Sequence, residues 1–416
     1  MKKFALLVIF IPIIITLFNA CTPCCFKKST GAGIELKTYP DLFVELLGKS
    51  PAEVQARVQK DFNQLFYGDD ENERVYYPVG TDMAYIEDIL HSDVRSEGMS
   101  YGMMIAVQMD KKEEFDRLWK WAKTYMQHKH GQRKDFFAWN VATDGTIRDH
   151  NSASDGEEWF VTALFFASAR WGDDEGIFNY KAEAQTILDA MLNKVESSDN
   201  DTTVTNMFNK NEKQVVFVPV GNADDFTDPY YHVPHFYELW ARLADKNRDF
   251  WKEAADTSRA FWKKAANPET GLMPDYAHFD GTPADMFNGG HADFRFDAYR
   301  IIMNIAVDHI WFDRDKWEVE ESNRLLNFFT SEGINDYVNQ YTLDGKRLSS
   351  GRSAGMIAVN AVGCLAATVD NRKDFVQAFW DMPVPTGLYR YFDGLLTMLA
   401  MLQLSGNFRI YESVNQ

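Results

Sequence analysis

The stretch Phe115-Asp116-Arg117-Leu118-Trp119-Lys120-Trp121-Ala122-Lys123-Thr124-Tyr125-Met126 places apolar residues at 115, 118, 119, 122 and 126. That is the i, i+3, i+4, i+7, i+11 series of one helix face. A second helical series, i, i+3, i+7, i+10, i+14, lies near the C-terminus at Leu388, Tyr391, Leu395, Met398 and Leu402. Upstream, Ser50-Pro51-Ala52-Glu53 combines an N-cap serine, a proline at the first helical position and a glutamate three residues past the cap, a capping box that opens a helix to about Phe66. Segments of this kind number about twelve, near 51–66, 97–109, 111–128, 157–171, 178–194, 230–244, 248–266, 296–311, 315–332, 353–367, 373–381 and 387–404. Short joints (Asp110, Gly172 to Gly176, Asp245 to Asn247) alternate with long polar, glycine-rich stretches at 129–156, 195–229, 267–295 and 333–352. Twelve helices in pairs predict an all-α toroid whose long loops gather at one end and form a cleft. Only Val215 to Val220 reads as a strand, in a loop hairpin.

The chain has 416 residues, 45% hydrophobic and 25% charged, which excludes disorder, collagen and coiled coil. Its 61 acidic against 43 basic residues give a net charge of -18, which argues against a nucleic-acid partner needing a basic stripe. With 11 Trp, 18 Tyr and 31 Phe, the aromatic content exceeds what one core requires and suits a surface that stacks flat neutral rings. Residues 1–20 read as a secretory leader: Met1-Lys2-Lys3, an apolar run from Phe4 to Phe18, then Asn19-Ala20 before Cys21. The run is about 15 residues, short of the ~20 that span a bilayer. A lipobox-like end predicts acylation of Cys21, with 21–34 as a tether and 35–416 as one domain; cleavage near Ala20 without acylation is the alternative. The tether has Lys27 and Lys28 but no acidic cluster, which places the expected protein in the cell envelope, facing the periplasm. Cys21, Cys24 and Cys25 lie in the leader and tether, and Cys364 alone in the body, so no disulfide framework is available.

Three acids sit among small, apolar or aromatic residues rather than among other charges. Glu97 lies in Arg95-Ser96-Glu97-Gly98-Met99-Ser100-Tyr101-Gly102, opening a helix so apolar that it must be buried. Desolvation raises the pKa of a carboxyl there, which suits a general acid, although capping the helix or pairing with Arg95 would also account for it. Asp155 lies in Ala153-Ser154-Asp155-Gly156-Glu157-Glu158-Trp159-Phe160, where the plainer role is an N-cap. Asp297, in Phe294-Arg295-Phe296-Asp297-Ala298-Tyr299-Arg300, is flanked by two arginines that favour its carboxylate, or that merely pair with it. A carboxylate kept charged opposite a carboxyl kept neutral is the arrangement of an inverting glycosidase. His232-Val233-Pro234-His235 is not the H-E-x-x-H zinc motif, and His278, His291 and His309 suit cleft hydrogen bonds better than a metal, so no metal is expected.

Together these segments resemble the signature regions of glycoside hydrolase family 8, in order and spacing, over nearly the whole mature chain. Phe137-Ala138-Trp139-Asn140 and Tyr230-Tyr231-His232-Val233-Pro234-His235-Phe236-Tyr237 are similar to its xylan-active branch. Glu157 and Phe160, where the commoner form has Asp and Ile or Met, resemble the reducing-end xylose-releasing oligoxylanases. The resemblance implies an (α/α)6 barrel, Glu97 as general acid, Asp297 as general base, Asp155 holding a distorted sugar and Tyr231 orienting water. It implies Trp139, Tyr101 and Arg300 as sugar-binding residues, xylo-oligosaccharides as substrate, no cofactor and a monomer. Exo-acting members close the groove with a Leu-His-Pro loop. The comparable stretch here, Leu348-Ser349-Ser350-Gly351-Arg352-Ser353-Ala354-Gly355, has neither His nor Pro, so Arg352 is the expected block; with a flat loop the groove stays open to endo action. A mixed-linkage glucanase of the same fold and a non-catalytic sugar-binding lipoprotein are the remaining alternatives.

Overall fold

A computed structural model describes Met1 and residues 38–194, 197–199 and 202–412. The expected leader and tether, with Cys21, Cys24 and Cys25, lie outside the described residues. Met1–Thr30 and Gly31–Gln416 are separate units, and every element named here belongs to the second.

The described residues form thirteen α-helices, the first of which, α1 (Leu42–Leu47), is too short for its period to show in the sequence. Six helices are buried on almost every side: α3 (Ser96–Gln108), α5 (Ser154–Trp171), α7 (Pro234–Leu243), α9 (Ile301–Phe312), α11 (Ala354–Gly363) and α13 (Phe392–Leu404). Each touches the next, and α13 returns to α3, so they close a ring. Around it stand α4 (Lys112–Trp121), α6 (Tyr180–Leu192), α8 (Arg248–Ala265), α10 (Trp317–Glu332) and α12 (Arg372–Asp381), each packed on the inner helix that precedes it. The sixth outer helix is α2 (Pro51–Tyr67), which packs on α13 from the far end of the chain. This is an (α/α)6 barrel. The inner helices lack a polar face because neighbours surround them, whereas an outer helix such as α4 keeps one apolar stripe, Phe115, Leu118, Trp119 and Trp121. The capping box at Ser50 forms as read, with the Ser50 N–H on Glu53 Oε2 at 2.8 Å and the Glu53 N–H on Ser50 Oγ at 3.3 Å.

Four boundaries differ from expectation. The helix over 111–128 ends at Trp121 and continues as one π turn, Ala122–Met126. Residues 296–300 are a 3-10 turn ahead of α9, entered through Phe296 at a φ of 45°. A second 3-10 turn at Gly387–Tyr389 precedes α13. The helix expected from 230 starts at Pro234, where the proline ring suits the first helical position. The expected strand shrinks to Gln214–Val215, paired with Phe208–Asn209. Short strands that the polar loops had hidden appear instead, among them β1 (Asp93–Arg95), β2 (Asn140–Ala142) and β3 (Ile147–Asp149), one antiparallel sheet. It pairs Arg95 with Asn140, and the Ser96 N–H donates to the Trp139 carbonyl at 3.0 Å, so Trp139 is set beside the start of α3.

Candidate active site

The first turns of α3, α5 and α13 and the long loops above them enclose a cleft of about 560 Å3. Glu97, Asp155 and Asp297 all line it, with Trp139 and Tyr231. Two close approaches bring the acids together. An added Cβ at Gly156 would lie 2.5 Å from Ser96 Oγ, so glycine lets the first turn of α5 sit on that of α3. An added Cβ at Gly98 would lie 2.4 Å from the Tyr391 ring, whose hydroxyl donates to Glu97 Oε1 at 3.2 Å.

Arg300 is the centre of the site. It is fully buried under the cleft floor, its guanidinium 3.6 Å from the centre of the Tyr230 ring. Nη1 reaches Glu97 Oε2 at 2.5 Å and donates to the Tyr101 hydroxyl at 2.9 Å, and Nη2 reaches Asp297 Oδ1 at 2.5 Å. Tyr101 is hydrogen-bonded in turn to Tyr230. The sequence reading is corrected here: Tyr101 and Arg300 are not sugar contacts but a buried frame that holds the two carboxylates. Glu97 is corrected as well, because it is half-buried and ion-paired rather than sealed in an apolar pocket. Arg295 points away from Asp297 to Asp293, at 3.0 Å, so the expected pair of flanking arginines reduces to one.

Burial pushes the Asp297 carboxyl up to about 6, against the pull of Arg300. Asp155 is pushed up strongly, first by burial and then by the nearby Glu97 charge. It is not an N-cap: Ala153 holds that position, and Asp155 sits inside the first turn of α5 with its carboxyl in the cleft. Tyr231 lies nearly parallel to Phe217, 5.7 Å away, and burial holds its hydroxyl protonated.

The walls are apolar. Phe296, Leu388 and Tyr389 line the cleft yet are 45%, 58% and 67% exposed, so their apolar faces await a flat partner. The Arg95 guanidinium stands 5.6 Å from the centre of the Trp139 ring and stiffens it. The turn bearing Leu388 and Tyr389 is held by Arg390, which donates to the carbonyls of Asp70, Glu71, Arg74 and Gly387. Arg352 does not reach the cleft. Its Nη2 donates to the Ile334 carbonyl at 2.7 Å and the guanidinium covers the Tyr337 ring, so it cannot be the block expected of it. A larger surface hollow of about 740 Å3 beside Gln132 and Trp251 has no comparable centre: Asp135 and Asp189 there stand beside Lys134 and Lys246.

Reading the sequence alone missed Tyr391, assigned to a core stripe, and the buried acids Asp228 and Asp275. Both acids carry the signal that revealed the other three, an acid among apolar and aromatic neighbours, in Phe226-Thr227-Asp228-Pro229-Tyr230 and Met273-Pro274-Asp275-Tyr276. Among the described residues no group of His, Cys, Asp and Glu is arranged to hold a metal ion.

Residues 90–406 match the family model described as glycosyl hydrolases family 8. The chain belongs to glycosyl hydrolase family 8. It is 46% identical to the reducing-end xylose-releasing exo-oligoxylanase Rex8A of Paenibacillus barcinonensis, over 92% of this chain and 99% of that one. The structure of Rex8A complexed with xylose superposes with a TM-score of 0.86 at 45% identity, covering 92% of this chain and all of that one. A catalytic mutant of the GH8 xylanase of Teredinibacter turnerae, in complex with xylohexaose, gives a TM-score of 0.87 at 45% identity, over 90% and 98% of the two chains.

Proposed function

We propose that this family 8 hydrolase cleaves β-1,4-xylosidic bonds with inversion and releases xylose from the reducing end of xylo-oligosaccharides. The observation that carries the chemistry is the pair of carboxylates, Glu97 and Asp297, held on separate nitrogens of one buried guanidinium in a cleft walled by exposed rings. In this reading substrate enters between them. Glu97 protonates the leaving oxygen and Asp297 takes a proton from the attacking water on the other face, with Tyr231 orienting that water. Asp155, held protonated, donates a hydrogen bond to the sugar at the scissile bond and stabilises its distorted ring. Trp139, Phe296 and Tyr389 stack xylose rings. The likeness to Rex8A supports reducing-end action.

A second reading, internal cleavage, is favoured by one observation: the residue expected to close the leaving side, Arg352, is folded onto Ile334 and Tyr337. The test is xylopentaose labelled at its reducing end. Free labelled xylose as the first product supports reducing-end release, and labelled xylobiose and xylotriose from the outset would sink it. Proton NMR of the same reaction should show the inverted anomer first. Glu97→Gln and Asp297→Asn should each lower turnover by at least ~10²-fold in a folded protein.

We also infer from the leader that Cys21 carries a lipid and tethers the enzyme to the envelope, facing the periplasm. Cys21→Ser should move the protein to the soluble fraction; unchanged membrane association counts against acylation.

A further inference from the structure

Asp275 stands behind Asp297 rather than in the cleft. It is buried, and both its oxygens are committed to the loop that carries Asp297. Oδ1 accepts the backbone N–H of Asp297 at 2.9 Å, and Oδ2 is 2.6 Å from His291 Nδ1. The Asp275 N–H donates to the Asp293 carbonyl at 3.0 Å and the Tyr276 N–H to the His291 carbonyl at 2.9 Å. The His291 ring lies flat on Tyr276, 4.1 Å away at 11°. Residues 291–297 are thus laced to 275–276 on both sides of Phe296, whose φ of 45° is costly for a bulky residue. Such a turn persists only where its surroundings over-determine it. Here the Asp275 carboxylate does so, by taking the amide of the very next residue.

We propose that Asp275, oriented by His291, is a positioning residue for Asp297: it fixes the Phe296 turn that aims the Asp297 carboxylate into the cleft, and it sets a second negative charge behind that carboxylate. The proposal rests on Asp297 being the general base. Asp297 also faces Arg300 from its own turn, Glu97 from α3, Asp155 from α5, Asp228, Tyr230 and Tyr231 from the segment before α7, and Tyr276 beside Asp275. Arg300 favours the ionised base and the acids oppose it. Removing the Asp275 charge while keeping its acceptor therefore makes Asp297 easier to ionise.

The experiment is the pH dependence of kcat/KM on xylopentaose for the parent, Asp275→Asn and Asp275→Ala. Asparagine keeps an oxygen for the Asp297 amide, so the acid limb should move about one unit to lower pH, with KM nearly unchanged. Alanine removes the acceptor too, and kcat should fall by ~10²-fold with KM within about threefold. An acid limb that stays in place in a folded Asp275→Asn enzyme overturns the proposal, because a merely structural carboxylate would alter stability and not the limb. Should neither variant fold, His291 decides. His291→Asn keeps a donor where Nδ1 stood and should lose less than about threefold in kcat, and His291→Leu should lose tenfold or more. Equal kcat in the two overturns the proposal. Asp297→Asn separates the layers: near-parental activity there removes the base assignment itself, whereas an inactive Asp297→Asn beside an unmoved Asp275→Asn limb removes only the positioning role.

Discussion

Arg300 gives one nitrogen to each carboxylate, and a guanidinium can do this because its donors are fixed in a planar fork. A lysine offers one point charge and cannot hold both. Arg300→Lys should therefore lower kcat/KM on xylopentaose by at least ~10²-fold, with the circular dichroism spectrum unchanged. The base itself sets a second expectation. Burial puts the Asp297 carboxyl at about 6. It works only when deprotonated, so on the acid limb kcat/KM should drop about tenfold per unit below that pH. A pH–rate profile flat to pH 4 would remove Asp297 as the titrating base. At this scale the sequence was informative about which acids meet in the cleft, because Glu97, Asp155 and Asp297 stand among residues that do not otherwise shelter charge. It was silent on direction. Nothing along the chain says that Tyr101 and Arg300 point under the floor, that Arg295 turns to Asp293, or that Arg352 folds back, because each depends on a partner brought in from elsewhere.

The first turns of α3, α5 and α13 meet at two glycines, and there the spacing of helices becomes the spacing of the cleft carboxyl groups. Gly98→Ala would drive a methyl into the Tyr391 ring, which cannot swing aside without leaving Glu97 Oε1. The expected cost is about 1–3 kcal/mol of stability, as for other overpacked sites, with a fall in kcat of about tenfold or more. Unfolding curves and kinetics on the same preparation check both parts. Outer helices were legible because each has a polar side, so a period of 3.6 shows. Most inner helices were legible only as apolar runs, which fix presence but not register; Tyr391 passed for core because it falls in the apolar series that announces α13. The turns at Phe296 and Gly387 had no signal, since their conformations are imposed by Asp275 and by Arg390.

Among the described residues of the whole molecule, buried acids outnumber buried lysines and arginines. Burial pushes Glu157 and Glu321 up to about 8 and Asp61 up to about 6, and raises Glu158 as well. Each group has a folded pKa above its unfolded value, so the contribution of Glu157 and Glu321 is complete below about 4.5 and is lost as pH rises through about 8, whereas that of Asp61 is complete below 3.8 and already lost as pH passes about 6. Melting temperature should fall between pH 5 and 8, by about 2 °C per unit for each of Glu157 and Glu321. Glu157→Gln keeps an acceptor for the Phe137 amide and should flatten the slope; a melting temperature that rises over this window would contradict the burial account. The pairing of helices into a ring was legible from their number and from the alternation of short and long joints. The closure was not, because α2 and α13 are joined by no short joint.

That closure governs the order of biosynthesis. Five inner helices meet their outer partners within a few tens of residues of leaving the ribosome, but α2 emerges early and its partner last. Until Phe392–Leu404 arrives, α2 lacks the inner helix it packs on, and α3 lacks its neighbour on one side. Nascent chains that stop before Phe392 will expose a sticky, unfinished seam to chaperones and proteases, and the enzyme will mature only after translation ends.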